Sequence, residues 1–574
     1  MGTNNIINIQ FGGKNKWETF EHNGVLFPPE YKPIGTPMLI YKGGPIGLNP
    51  VAEEFAMIFA KFTDTDYITN KIFRKNFWND FKKLLKTEKI DSLDDCDFKL
   101  FYEQNLIKKE EKMALTTEQK EKIKQANNDL DKKYKTAVVD GKEQPVGNFR
   151  IEPPGIFLGR GCNPKLGKIK HRIFPEDITL NIGKEAKIPD PGVGHKWADI
   201  IHDKSVEWLA SWKDDITGKM KYVWLGHHSD FKANSDIAKF ELARKLKRKI
   251  KGIREINTKN LTSNDLKIRQ IATALYFIDN LALRVGNEKG ADETDTVGVT
   301  SLRVEHIELI EPCTVKFDFL GKDSIRYKNV VDVSELVCAN IKEFINGKQG
   351  GDNLFDKINS NDLNKYLQTF MKGLTGKVFR TYNASALFQK ELNKLTAKYC
   401  DEDGTKDDTT DDTKDDTKDD TKGDTKDDTN KKEDDKKKDC KLSDDKLDFL
   451  LRAYNKANAK VAILCNHQKA TSKSFATQMD KLNLQIKKVR KQIQKAKADK
   501  KTKYQDKLKE LKAKKELKMD LKSVSLETSK VNYIDSRITI AFMKKHGIPV
   551  DKLFSKTLQE KFRWAFDVSP DFVF

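Results

Sequence analysis

Residues 474–520 are dominated by lysine, yet Met479, Leu482, Ile486, Val489, Ile493 and Ala496 recur at alternating three- and four-residue steps. Such a seam is too narrow for the middle of a globular core and too apolar to face water, so it calls for one helical partner along its length. Tyr504, Leu508 and Leu511 supply that partner if the chain folds back around Ala498–Thr502. The stretch is therefore expected to form an antiparallel two-helix arm. Beyond it, residues 521–574 regain Trp, Phe and Ile and should fold as a small domain set apart from the main body.

The 574 residues allow several domains and a sizeable core, with 37% hydrophobic and 34% charged residues. Net charge is +20, and that figure understates the surplus. Residues 401–439, built from near-repeats of KDDT, hold 18 Asp and Glu against 10 Lys, so the rest of the chain carries +28. This excess points to a polyanion, either nucleic acid or an acidic membrane surface; the bland alternative is a solvated lysine-rich surface. Membrane binding is disfavoured, because the basic residues do not lie on one apolar-faced helix and no apolar run approaches the ~18 residues of a spanning helix. The KDDT segment has too little apolar content to build a core and is expected to be a disordered insertion. Seven scattered cysteines (96, 162, 313, 338, 400, 440, 465) contain no CxxC pair and read as free thiols, not a disulfide frame or zinc site. No signal peptide is evident, and Ile6 stands where a myristoylation motif needs Ser or Thr. A nuclear or cytoplasmic protein is expected.

Along the chain, residues 1–35 suggest short strands and turns. Between Pro50 and Leu85, Phe55, Phe59, Phe62, Phe73, Phe77 and Phe81 recur at helical spacing and read as core. A charged helix is expected over 113–135, starting after Thr116–Thr117, and β structure over 148–230. Residues 264–284 make an apolar-faced helix ending in LALRVGNE. Val315, Phe317 and Phe319 then alternate with Lys316 and Asp318, and Gly321–Ser324 close a hairpin. Helical patterns follow over 361–398 and 443–466. The nearest approach to a phosphate loop, Gly161 to Lys168, is one residue too long and lacks the Ser or Thr that would hold magnesium, so ATP use is not expected.

Five residues stand out by context: Arg284 in LALRVGNE, Lys322 in FDFLGKDSIRY, Arg380 in KVFRTYNAS, His467 in AILCNHQ and Tyr533 in TSKVNYIDSRIT. Singly, each is explained by structure alone, as a helix-end arginine, a hairpin-tip lysine or a buried tyrosine. Together and in this order they resemble the eukaryotic type IB DNA topoisomerases. The likeness extends to IFRKNFW at 72–78, FRIEPPGIFLGRG at 149–161, GHKW at 194–197 and DTVGVTSLRVEHI at 295–307, and covers nearly all of the chain outside its first residues and the KDDT insertion.

The residue types suit the chemistry that the resemblance implies. A tyrosine hydroxyl with pKa about 10 needs activation and a charge-masked phosphate. Arg284 and Arg380 offer planar cationic forks for two nonbridging oxygens. His467 can donate to one of those oxygens, and Lys322 can protonate the departing 5′ oxygen as general acid. The resemblance assigns these same roles, with Tyr533 joined to a 3′ phosphate and no metal or other cofactor. It further implies DNA contacts from Arg160, Trp208, Lys221, Tyr222, Lys239, the run Val285–Gly286–Asn287–Glu288–Lys289, Thr296, Asp323, Thr375–Gly376–Lys377 and Asn532. Arg160, Asp323 and Asn532 would border the cleaved step, where camptothecin-type poisons stack. Leu158, Cys162–Asn163, Gly226–His227 and Ser536 depart from the family's usual Arg, Asn–His, Asn–Pro and Pro.

A tyrosine recombinase shares most of this chemistry, but its second arginine commonly follows a histidine by three positions, where this chain has Lys377. A non-enzymatic architectural DNA-binding protein would need the basic surface and not Tyr533. The expected fold is α+β and multi-domain, a bilobed clamp on double-stranded DNA. Its parts would be a mixed α/β cap (1–225), a mainly helical, tyrosine-recombinase-like catalytic lobe (226–470) interrupted by 401–439, a coiled-coil linker (471–520) and a small helical C-terminal domain (521–574). A nuclear monomer is the expectation.

Overall fold

Phenylalanine spacing builds the first core. Helices α1 (Pro50–Ala60) and α2 (Lys71–Leu84) are capped by Asn49 and Asn70, whose side chains accept backbone N–H groups of the first turn. Phe73, Phe77 and Phe81 fall on one face of α2 and are fully buried. Phe77 stacks on Phe59 of α1 at 4.1 Å between ring centroids, a contact worth about 1 kcal/mol beyond the area it buries. In this computed structural model the described residues are 15–36, 38–85, 90–290, 293–400, 444–469, 471 and 474–574. The KDDT insertion, and with it the expectation of disorder over 401–439, lies outside them.

The charged helix expected over 113–135 is present as Thr117–Lys132, and a helix that was not expected precedes it. That preceding helix, α3 (Lys99–Ala114), ends before Thr116, which caps α4 (Thr117–Lys132) through a reciprocal pair with Gln119. The signal for α3 was obscured because only Phe101 on it is buried.

The β-rich stretch contains a four-stranded sheet in the order Asp199–Ile201, Thr179–Asn181, Trp208–Lys213, Met220–Trp224. The first pair is parallel and the others antiparallel. Next come α5 (Asp230–Asn260) and α6 (Leu266–Leu281). The expected hairpin has a third strand: Ile307–Ile310, Thr314–Leu320 and Arg326–Asp332 pair antiparallel in that order. Val315, Phe317 and Phe319 point into the core, as their alternation requires. Helices α7 (Glu335–Ile345) and α8 (Ser360–Phe370) follow.

Helices α9 (Gly376–Cys400), α10 (Asp444–Leu464), α11 (Phe475–Lys495), α12 (Ala498–Asp520), α13 (Leu526–Asn532) and α14 (Ser536–His546) make up most of the remainder. The arm is present as the α11–α12 pair: Met479, Leu482, Ile486 and Val489 are buried with Leu511, and Phe475, Ile493, Tyr504 and Leu508 pack around them. Its turn falls at Ala496–Lys497, ahead of the expected Ala498–Thr502, and Ala496 has left the seam for an extended backbone. Ala and Lys are good helix formers, so the helix reaches back to its first available residue.

The chain divides into two compact units. One comprises Met1–Ile278, Leu283–Gly376 and Glu560–Trp564; the other comprises Asp279–Ala282, Lys377–Gln559 and Ala565–Phe574. In the second unit the arm leaves and returns at one place. Ser525 N–H donates to His467 O at 2.7 Å and Lys469 N–H to Ser523 O at 2.9 Å, closing the base of the arm with backbone bonds.

Ser536 is a position where resemblance expects Pro, and the structure gives the reason. It is the first residue of α14, where an N–H has no intrahelical partner, and its hydroxyl is buried without a hydrogen bond among the described residues. The preceding Asp535 has φ −60° and ψ 117°, compatible with a following proline. Ser536→Pro is expected to raise unfolding free energy by about 0.5–1 kcal/mol, measured by denaturant titration. A lower midpoint would show that the hydroxyl has a role the packing does not reveal.

Candidate active site

Three of the five expected residues come together in the second unit. Arg380, one turn into α9, is buried, with Nη1 donating to Ala282 O at 2.8 Å and Nη2 to Cys465 O. Its guanidinium lies over the Tyr533 ring, 5.1 Å from the centroid. The His467 ring stacks on Tyr533 from another element, at 5.3 Å and 28°. Tyr533 is half-buried and caps the C-terminus of α13. Cation, imidazole and phenol thus sit within one cluster.

Serines that carried no sequence signal hold this cluster. Ser385, fully buried on α9, donates to Tyr533 O and accepts from Asp535 N–H, both at 3.0 Å. Ser529, fully buried on α13, lies 2.7 Å from His467 Nδ1, and its carbonyl accepts the N–H groups of Tyr533 and Ile534. Asp535 is fully buried, caps α14 through Arg537 N–H and forms an ion pair with Arg537 at 2.7 Å. Asn532 is exposed beside the tyrosine, its amide turned to Thr528 O.

Arg284 and Lys322 belong to the first unit. Arg284 lies on an extended segment after α6, pinned where Val299 N–H donates to Arg284 O and Thr300 N–H to Val285 O. The pinning depends on two glycines in near contact: a Cβ on Gly298 would come within 2.5 Å of Gly286 Cα and 2.7 Å of Arg284 O. Gly376 is constrained likewise, since a Cβ there would meet Val285 Cγ2 at 2.3 Å. Lys322 opens the short turn between the strands ending at Leu320 and starting at Arg326. Asp323 (φ 67°) and Ser324 (φ 58°) hold left-handed backbone that non-glycine residues rarely adopt, so this tip is strained.

Around the tip, Arg160, Lys289, Thr296 and Asp323 line one pocket of about 490 Å³, joined there by Lys165 and Lys219. Arg160 pairs with Asp323, and Gly161 approaches Ser324 so closely that a Cβ would sit 2.5 Å from its hydroxyl. Elsewhere on this unit Trp208, Tyr222 and Trp224 form a row of contacting rings at 5.5 and 5.4 Å, with Trp224 45% exposed. Lys221 beside them bonds Glu152 at 3.1 Å and Asp214 at 3.6 Å. Lys239 bonds the buried Asp236, which also faces Lys232 and Lys561. Burial alone would raise the Asp236 carboxyl, but the ammoniums of Lys239, Lys232 and Lys561 outweigh it and hold it below the usual range. Burial in turn pulls the Lys239 ammonium down. Asn287, Glu288 and Lys289 are exposed, Thr375 is half-buried, and Lys377 is exposed in the second unit.

Three family models match in succession: the DNA binding fragment of eukaryotic DNA topoisomerase I over residues 15–225, its catalytic core over 228–500, and a C-terminal topoisomerase domain over 505–574. DNA topoisomerase 1 alpha of Arabidopsis thaliana is 44% identical over 98% of the chain, DNA topoisomerase 1 of Caenorhabditis elegans 42% over 96%, and DNA topoisomerase 1 of Homo sapiens 40% over 97%. The alignments span 60%, 67% and 71% of those relatives, so the chain covers three fifths of the length of its plant relative. The chain belongs to the eukaryotic DNA topoisomerase I family. A recombinase is not favoured.

The glycine contact gives a direct test. Gly298→Ala should push the Arg284 segment off its position and slow any plasmid-relaxing activity of the chain by at least roughly ten-fold, with the melting temperature showing that the fold survives. Wild-type relaxation by a folded Gly298→Ala protein would remove the contact from any part in the site.

Proposed function

We propose that this chain relaxes supercoiled double-stranded DNA by transient single-strand cleavage, with Tyr533 as nucleophile. The observation that carries this reading is the cluster of Arg380 and His467 packed against the Tyr533 ring. The half-buried Tyr533 hydroxyl gives its proton to water as its oxygen attacks phosphorus, a bond forms to the 3′ phosphate, and the bond to the 5′ oxygen breaks. Lys322 supplies the proton that the leaving oxygen takes up. Arg284 and Arg380 neutralise the nonbridging oxygens and His467 donates to one of them, stabilising charge that peaks in the transition state. Reversal reseals the strand, because the linkage energy is kept in the phosphotyrosine and no nucleotide is consumed. Cationic side chains take the place of a metal.

Around this chemistry, residues 1–225 and 226–470 would clamp duplex DNA, 471–520 would serve as a coiled-coil linker, and 521–574 would present the tyrosine. The Trp208–Tyr222–Trp224 row, with Trp224 exposed, and the Arg160–Asp323 pocket, with Thr296 and Lys289, suit a sugar-phosphate backbone and a base step. The Arg160–Asp323 pocket also suits a planar camptothecin-type poison. A monomer acting in the nucleus is the reading that family membership supports.

Relaxation of plasmid is expected in EDTA without ATP, for positive and negative supercoils alike. Tyr533→Phe should bind DNA but give no covalent adduct in denaturing gels; an adduct or continued relaxation would overturn the nucleophile assignment.

Lys322→Ala should slow cleavage by about 10²–10³. A substrate with sulfur at the 5′ bridging position, whose thiolate leaves unprotonated, should recover most of that loss. Equal slowing on both substrates would end the general-acid role.

A further inference from the structure

The pairing of His467 with Ser529 determines which ring nitrogen bears hydrogen. Nδ1 lies 2.7 Å from Ser529 Oγ, both groups buried. Two arrangements satisfy that distance: the hydroxyl donates to a bare Nδ1, or Nδ1–H donates to the hydroxyl oxygen. They differ in what becomes of the hydroxyl hydrogen. In the second it needs another acceptor, and among the described residues Ser529 Oγ has no further hydrogen-bond partner. A hydroxyl hydrogen buried without an acceptor is costly, at about 1–3 kcal/mol, so the first arrangement wins.

We infer that Ser529 is a positioning residue that locks His467 in the neutral tautomer with hydrogen on Nε2, so that the imidazole meets DNA as a donor. This rests on the DNA-cleaving reading of the site. A donor is what a nonbridging oxygen requires; the other tautomer would present a lone pair to an anion and repel it. Ser529 also ties the histidine to the nucleophile, since its carbonyl accepts the backbone N–H groups of Tyr533 and Ile534 at 3.0 Å. One residue of α13 thereby sets the position of the tyrosine backbone and the protonation pattern of the imidazole stacked on its ring.

The test reads the tautomer directly. The chain has nine histidines, so ¹⁵N-histidine labelling with long-range ¹H–¹⁵N correlation, assigned by the signals missing in His467→Gln, isolates the His467 ring. The wild type should show hydrogen on Nε2. Ser529→Ala, which removes one oxygen, should show a mixture of tautomers and lower the cleavage rate roughly ten-fold without weakening DNA binding. In a His467→Gln background, where no tautomer exists, the same change should have no further effect. Ser529→Cys, which keeps a weak donor, should fall between wild type and Ser529→Ala, and replaces it if the alanine variant does not fold. Hydrogen on Nδ1 in the wild type, an unchanged tautomer in Ser529→Ala, or an equal rate loss in the His467→Gln background would each overturn the inference. Failure of Tyr533→Phe to block adduct formation would overturn the cleavage reading and leave the tautomer result standing.

Discussion

A charged guanidinium buried to 6% exposure constrains everything around it. Taking Arg380 out of water costs several kcal/mol unless its donors find partners. It finds them at the C-terminal ends of two helices, since Ala282 follows α6 and Cys465 follows α10. Carbonyls at a helix's C-terminal end carry the negative end of its dipole, so both helices aim partial charge at the cation. The ring face of Tyr533 adds its quadrupole. Two helix ends and the tyrosine are thus located by one side chain. The tyrosine is held again from behind by Ser385, five residues further along the same helix α9.

That dependence explains where the chain tolerates long excursions. The lysine-rich arm departs after His467 and returns before Ser525, and those two residues are joined by a backbone hydrogen bond. Closing the base of the arm beside the cluster lets α13 and α14 stay docked on α10, where Asn458 donates to Leu526 O of α13 at 3.2 Å and the Tyr454 hydroxyl meets Thr539 of α14 at 3.0 Å. The arm buries its own seam and needs nothing from the cluster. Its length is therefore uncoupled from the chemistry, because lengthening an already closed loop adds little entropy.

Much of this was legible in sequence because the signals were strong physical patterns. The i, i+4, i+8 phenylalanines of α2, the alternating strand before Lys322 and the three-four seam of the arm each define which face is buried. The chemically distinctive residues were marked by their contexts. The serines were not: Ser385 and Ser529 lie within quoted motifs, yet serine is as common in loops and caps as in sites, and only the fold shows their hydroxyls turned inward. Partners of charged residues were also invisible. The resemblance marks Lys221 and Lys239 only as DNA contacts, and nothing in it shows that they lie against Glu152, Asp214 and Asp236. Such pairing depends on which loops meet, and no local periodicity encodes it.

Backbone strain follows the same distribution. Among the described residues, six non-glycine positions have positive φ, and four of them are Ala282, Asp323, Ser324 and Asn466. Ala282 lies two residues before Arg284, Asp323 and Ser324 directly follow Lys322, and Asn466 directly precedes His467. Each such residue costs of order 1 kcal/mol and persists only where neighbours over-determine it. At Ala282 the left-handed turn ends α6 and leaves its carbonyl to Arg380; at Asn466 it ends α10 and delivers the imidazole to Ser529. At Asp323 and Ser324 it bends the lysine tip against Gly161, where a Cβ would force the Ser324 side chain to shift. Relaxing any of these turns to ordinary backbone would swing a neighbouring cation or imidazole away from its partner. The strain is therefore concentrated beside the residues whose orientation matters most, and the buried hydrogen bonds of Arg380 to Ala282 O and of Ser529 to His467 hold the turns at Ala282 and Asn466.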